Sequence, residues 1–251
     1  MSDRSRSRRM ARGAVVWDPL IDLLDQLVAK TGRSGLDVVD AGGGTGGFAV
    51  PLAELGHTVT VVDPSPDALA ALERRVAEAG VGDRVIGLQG ELSALPGLIG
   101  AERVDAVLCH GVLEYVEDPE IAIGAVVKCL RPGGLVSVIV ANKTAAVLTR
   151  AIAGRFTEAR HALDDPVGRF SDLDPTPRRY TIDSISEVMT GAGLTVTAVH
   201  GVRVFTDLIP AALVEGEPRA QEQLRQLEIA ASTHPMLRAV AGRLHLLATR
   251  S

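Results

Sequence analysis

The stretch Val38-Val39-Asp40-Ala41-Gly42-Gly43-Gly44-Thr45-Gly46-Gly47 constrains this chain more than any other. It carries an apolar strand straight into a glycine-packed turn and sets a carboxylate just ahead of the glycines. Residues without a Cβ take positive φ without strain and let backbone amides come close to a ligand. The stretch therefore predicts a strand, a tight turn and a helix start that together receive a nucleotide-like ligand.

Hydrophobic periodicity extends this unit in both directions. Leu20, Leu23, Leu24, Leu27 and Val28 recur at helical spacing after Asp18-Pro19, which reads as an N-cap followed by proline at the first helical position. Strands are expected at 36–39, 58–62, 84–88, 104–109 and 135–140, with helices at 48–55, 66–79 and 121–130 between them. Such alternation calls for a Rossmann-like, doubly wound, mostly parallel α/β sheet with helices on both faces. Ligands of such sheets lie at the carboxyl ends of the strands, so Gly42, Asp63, Glu91 and His110 are expected to converge.

Beyond Thr144 the pattern changes. A helix is expected at 145–153, and the stretch 154–179 mixes Pro, Gly, Asp and Arg with little periodicity. It reads as an insertion on the substrate side, at about 144–180, and Phe156, Phe170 and Tyr180 are three of the seven aromatic residues of the chain. Four aspartates between Leu163 and Pro175 make it acidic, a character that repels phosphate. A helix at 182–192, a strand at 194–199, a helical stretch over 209–231 and a strand at 244–249 follow.

With 251 residues, the chain has room for one α/β domain, here 13–251, preceded by an Arg-rich segment, 1–12, that reads as a flexible tail. The formal charge of −5 argues against attraction of nucleic acid to the whole surface and leaves room for a local basic patch. There is no apolar run of about eighteen residues and no secretory signal pattern, so the expected setting is cytoplasmic, without a membrane. Cys109 and Cys129 sit in apolar surroundings and read as reduced core residues, and no zinc-like spacing is present, so no metal is expected.

The glycines fit two templates. Gly42, Gly44 and Gly47 satisfy the dinucleotide spacing, and Asp63 stands about twenty residues on, where a ribose-binding acid belongs. Asp40 inside the Asp-x-Gly-x-Gly phrase, Gly90-Glu91-Leu92 after the third strand and the Arg131-Pro132-Gly133-Gly134 turn tilt the choice away from NAD. At these residues the chain resembles the class I S-adenosylmethionine-dependent methyltransferases. With His110-Gly-Val-Leu-Glu-Tyr-Val-Glu-Asp-Pro119, Ala141-Asn142 and Gly201-Val-Arg-Val-Phe-Thr-Asp207, it is similar to the tRNA 5-carboxymethoxyuridine methyltransferase family. That resemblance implies S-adenosylmethionine as cofactor, tRNA as partner and methylation of the wobble carboxymethoxy group to a methyl ester. It also implies cofactor contacts at Arg12, Gly42, Gly43, Asp63, Leu92 and His110, with Glu91 and Ser93 beside them, while Asp40 and Gly44 match the cofactor-cradling Asp-x-Gly-x-Gly pattern of the class I enzymes.

A carboxylate acceptor is ionised at neutral pH, so neither a general base nor a metal is needed, but a cationic holder is. Arg203 is the candidate holder, because a guanidinium grips a carboxylate bidentately. His110 is a candidate for hydrogen bonding to substrate or cofactor, and Tyr180, beside Arg178 and Arg179, for stacking on a base. The competing expectations are a methyltransferase for a small acidic, phenolic or amine metabolite, an NAD-binding oxidoreductase, and a non-catalytic cofactor-binding protein.

Overall fold

The computed structural model describes residues 3–251, with side chains described for 13–251 apart from Ala211. Arg12 and the tail expected over 1–12 lie outside the residues whose side chains are described.

The helix α1 (Asp3–Thr31) departs from helical geometry at Gly13 and carries Pro19 in its interior. The start expected at Asp18 is therefore corrected: the helical stripe continues upstream, where Ala14 and Val16 are buried like Leu20 and Leu24 below them. Next come β1 (Asp37–Ala41), α2 (Ala49–Glu54), β2 (Thr58–Asp63), α3 (Pro66–Ala79), β3 (Val85–Gln89), α4 (Leu95–Ile99), β4 (Val104–His110), α5 (Pro119–Cys129) and β5 (Leu130–Ala141). The remainder is α6 (Lys143–Ile152), α7 (Phe156–Asp164), α8 (Ile182–Gly191), β6 (Leu194–Val202), α9 (Pro218–Ser232), α10 (Pro235–Arg238) and β7 (Arg243–Arg250).

The seven strands form one mixed, mostly parallel sheet in the order β3-β2-β1-β4-β5-β7-β6. β1 pairs in parallel with both β2 and β4, so Ala41 lies opposite Val62 on one side and Cys109 on the other. From β1 the chain steps outward to β2 and β3 and then returns to the far side of β1, which places the reversal of strand order between β1 and β4. This reversal opens a crevice at their carboxyl ends. At the opposite ends, Arg131 pairs with Asp37 and Asp105 at 3.1 and 2.8 Å and Arg33 joins the same two carboxylates, tying the starts of β1, β4 and β5. Arg131 is thus a strand-start clamp, remote from the glycine turn.

The chain divides into two compact units. One, residues 22–139, 186–198 and 246–251, holds most of the sheet with α2 to α5. Val39, Val59, Val61, Leu72, Val107 and Leu108 are sealed in its core, each such aliphatic side chain contributing about 1.5–3 kcal/mol on full burial. Cys109 and Cys129 are buried and free, and burial raises both thiol pKa values.

The other unit, residues 1–21, 140–185 and 199–245, contains the insertion and the segment after β6. The insertion is not the irregular loop its sequence suggests, because nine residues of it form α7, seated on the buried Ala159 and Ala162. The aspartates organise the rest. Asp165 accepts the amides of Val167 and Arg169, and Asp174 accepts those of Phe170 and Thr176 and the Arg179 guanidinium at 3.0 Å. Arg150 lies over the Phe170 ring at 3.7 Å. Much of the acidic charge read from the sequence is therefore neutralised within the insertion. The long helix expected from 209 is shorter and begins at Pro218, after turns punctuated by Pro210 and Gly216.

Candidate active site

Asp40 is the penultimate residue of β1, buried like Ala41 after it, and Gly42 follows the strand with φ of +69°. Its amide donates to the carbonyl of Val62 at 2.7 Å, and a Cβ there would lie 2.3 Å from Val112 Cγ2. Only glycine fits. Gly44 also takes a positive φ, and its amide donates to Asp63 Oδ2 at 2.9 Å. The other Asp63 oxygen accepts the amide of Ser65, while Ser65 itself caps α3 through Ala68. Asp63 is therefore a brace between the end of β2 and the glycine turn, and the helix cap is Ser65.

Asp40 is 2 % exposed, and its Oδ2 has no hydrogen-bond partner. Burial, with help from the nearby Asp63 charge and against the Ala49 amide, pushes its pKa up to about 7. A buried carboxyl held near neutrality with an unpaired oxygen suits a cationic group.

Beside the turn lies a cavity of about 500 Å³, within the range of roughly 300–1,000 Å³ usual for cofactor sites. Gly42, Glu91, Leu92, Ser93, Tyr115 and Ile121 are among its walls. Glu91 begins a short 3₁₀ turn but makes no capping hydrogen bond, which leaves its exposed carboxylate available to the cavity. Leu92 is buried and forms an apolar wall. Tyr115 and Ile121, both mostly exposed, were not singled out as cofactor residues, because their approach depends on how separate loops meet.

His110 ends β4. Its Nε2 lies 2.8 Å from Ser137 Oγ, and its ring meets the Phe48 ring edge-on at 4.5 Å. Burial lowers its pKa to about 3, so the ring is neutral at physiological pH and a feeble base.

The candidates in the other unit stand differently. Tyr180 is 4 % exposed, and its backbone pairs with Ala141 and Lys143, so its ring offers no open face for stacking. Arg179 is committed to Asp174, Gly168 and Thr176. Arg203, by contrast, keeps 55 % of its side chain exposed, pairs with Asp207 and has a left-handed φ of +61°. It lines a second cavity, of about 230 Å³, with Val15, Val202, Thr206, Leu224 and Glu228. Among the described residues no helix is long and apolar enough to cross a membrane, and no cluster of His, Cys, Asp and Glu is arranged to hold a metal.

Comparison with known proteins agrees with the glycine-turn unit. Residues 39–138 match a family described as a methyltransferase domain. The chain is 30% identical over 199 residues to the tRNA 5-carboxymethoxyuridine methyltransferase of Escherichia coli O157:H7, covering 79% of this chain and 73% of that protein. A ubiquinone biosynthesis O-methyltransferase of Methylocella silvestris is 35% identical over 125 residues, 48% of this chain and 45% of the relative. In fold, the chain resembles an S-adenosylmethionine-dependent methyltransferase from Mesorhizobium loti, with a TM-score of 0.62, 20% identity and coverage of 96% and 100%. The NAD and non-catalytic alternatives give way to a methyltransferase that uses S-adenosylmethionine. This chain belongs to the class I S-adenosylmethionine-dependent methyltransferases, in the family that includes the tRNA 5-carboxymethoxyuridine methyltransferase of E. coli.

Proposed function

We propose that this enzyme methylates the carboxylate of 5-carboxymethoxyuridine at the tRNA wobble position, giving the methyl ester. The observation that carries the reading is the extent of the likeness to the E. coli tRNA enzyme, 199 residues against the 100 of the methyltransferase domain. The match to the ubiquinone O-methyltransferase covers only about half of the chain.

The chemistry of the sites supports the same acceptor. S-adenosylmethionine, when bound, supplies an electrophilic methyl group on a cationic sulfur. Asp40 offers its unpaired carboxyl oxygen to the cationic end of the cofactor, and the Gly43 and Gly44 region presents the glycine turn to its carboxylate. Asp63 accepts from the ribose hydroxyls, and Glu91 and Leu92 wall the adjoining cavity. His110, neutral and bonded to Ser137, packs and orients without abstracting a proton. A phenol or amine acceptor needs a base to take its proton, whereas a carboxylate with a pKa near about 4 arrives ionised. Arg203 holds that carboxylate, and the self-neutralised insertion presents less negative charge to RNA than its composition suggests.

The test is incubation of the enzyme and S-adenosylmethionine with tRNA that carries 5-carboxymethoxyuridine, followed by nucleoside mass spectrometry. The expected product is the methyl ester of that nucleoside. Turnover of a small phenol or acid with none on the tRNA would assign the enzyme to metabolite methylation instead.

A further inference from the structure

We infer that Glu228 is a positioning residue for Arg203, a carboxylate that clamps the loop after β6 so that the guanidinium is presented to an anionic acceptor. The inference rests on the reading of Arg203 as the acceptor's holder.

Glu228 lies on α9 and is 7 % exposed. Its Oε2 accepts the amide of Val204 at 2.7 Å, and its Oε1 accepts the amide of Phe205 at 2.9 Å and the amide and hydroxyl of Thr206, both at 2.8 Å. Four donors from three successive residues thus converge on one buried carboxylate. Successive amides pointing the same way form an anion-holding concavity, and a charged acceptor in it makes shorter, stronger bonds than a neutral one.

The residue just before this nest is Arg203, whose left-handed φ is rarely taken by a residue that carries a Cβ. Its carbonyl is fixed by the amide of Gly242 at 3.1 Å, and its guanidinium pairs with Asp207. Gly242 is packed so closely that a Cβ would lie 2.3 Å from Asp207 Oδ2. Arg203 is therefore held behind by Gly242 and ahead by Glu228, while its side chain stays largely exposed and lines the same cavity as Glu228 and Thr206. Sparsely populated backbone geometry persists where surroundings over-determine it, and it gathers at sites that must present a group in one orientation. An incoming carboxylate has to displace or share Asp207, which makes the direction of the guanidinium decisive.

The experiment is a double-mutant cycle of E228Q and R203A, read with tRNA carrying 5-carboxymethoxyuridine as acceptor and, separately, by amide hydrogen exchange at residues 204–206. E228Q is expected to lower kcat/KM for the tRNA roughly tenfold, mainly through KM, with affinity for S-adenosylhomocysteine unchanged. That loss should disappear when Arg203 is already alanine, and exchange at 204–206 should quicken in E228Q but not in R203A. An equal loss in both backgrounds, or unchanged exchange in E228Q, would overturn the positioning role. Wild-type enzyme inactive on this tRNA would sink the proposed acceptor, and the exchange measurement would still decide whether Glu228 holds the loop. If E228Q does not fold, T206V removes one of the four bonds and should move both readouts in the same direction by two- to threefold.

Discussion

Asp63 Oδ2 accepts the amide of Gly44 at 2.9 Å, so the carboxylate that ends β2 also fixes the glycine turn that follows β1. Beside this brace within the protein, the same side chain is the proposed acceptor for a ribose diol. Asp63→Ala removes both. Affinity for S-adenosylhomocysteine should fall by about 1–3 kcal/mol, the cost of losing hydrogen bonds to a charged group. Calorimetric titration of the variant measures it, and unchanged affinity would reduce Asp63 to a brace alone.

Asp40 and His110 make opposite demands on pH. The Asp40 pKa is raised to about 7, so the folded state holds a proton that the unfolded state has lost, and its contribution to stability falls as pH rises from about 4 to 7. The His110 pKa is depressed to about 3, so its contribution falls as pH drops from about 6.5 towards 3. Between about pH 4 and 6.5 the two slopes oppose each other. D40N should therefore lose stability more steeply on acidification than the wild type, and H110N should gain it; urea midpoints across this range test both directions.

If Asp40 faces the cationic end of S-adenosylmethionine, as proposed, its proton is linked to the cofactor. A cation placed beside the carboxyl favours its ionised form, so S-adenosylmethionine should bind more tightly as pH rises through 7 and should release a proton on binding below it. Titrations in buffers of different ionisation enthalpy count that proton. In D40N the pH dependence should flatten and the proton release should vanish.

How far all this was legible in the sequence depended on the range of the signal. The glycine turn, Asp63 and the alternation of strands and helices are local patterns, and the sheet followed them closely; α3 occupies the residues its periodicity marks. α7 escaped because its buried face is made of Ala159 and Ala162, too small to raise an apolar periodicity among the prolines, glycines and aspartates around them. Glu228 looked like one more charge on an amphipathic helix, since its four donors lie more than twenty residues earlier in the chain. The commitment of Arg179 to Asp174 and the burial of Tyr180 are tertiary facts that a basic pair beside an aromatic does not announce.

The order of the insertion rests on Asp174, whose side chain is fully buried and paired with Arg179, itself only 10 % exposed. Asp174→Ala would leave that guanidinium without its carboxylate partner and two backbone amides without an acceptor. Breaking such a buried pair costs about 3–5 kcal/mol. Limited proteolysis should cut the variant faster between residues 165 and 179 while S-adenosylhomocysteine still binds, and equal cutting rates would mean that Phe170 and Arg150 hold the segment by themselves.

Arg203 is the proposed holder of the acceptor carboxylate. It is the exposed partner in its ion pair with Asp207, and the backbone holds it in a conformation that alanine would tolerate no better than arginine. Arg203→Ala therefore removes the cation with little change in the strain of the loop. If the guanidinium grips the acceptor carboxylate, kcat/KM for tRNA carrying 5-carboxymethoxyuridine should drop about ten- to a hundredfold, the range for hydrogen bonds to a charged group. Binding of S-adenosylhomocysteine should be unaffected. Arg203→Lys should recover only part of the loss, because an ammonium supplies the charge but not the planar two-point grip. Full activity in the alanine variant would end the role of Arg203 as holder, and equal recovery by lysine would mean that charge alone matters there.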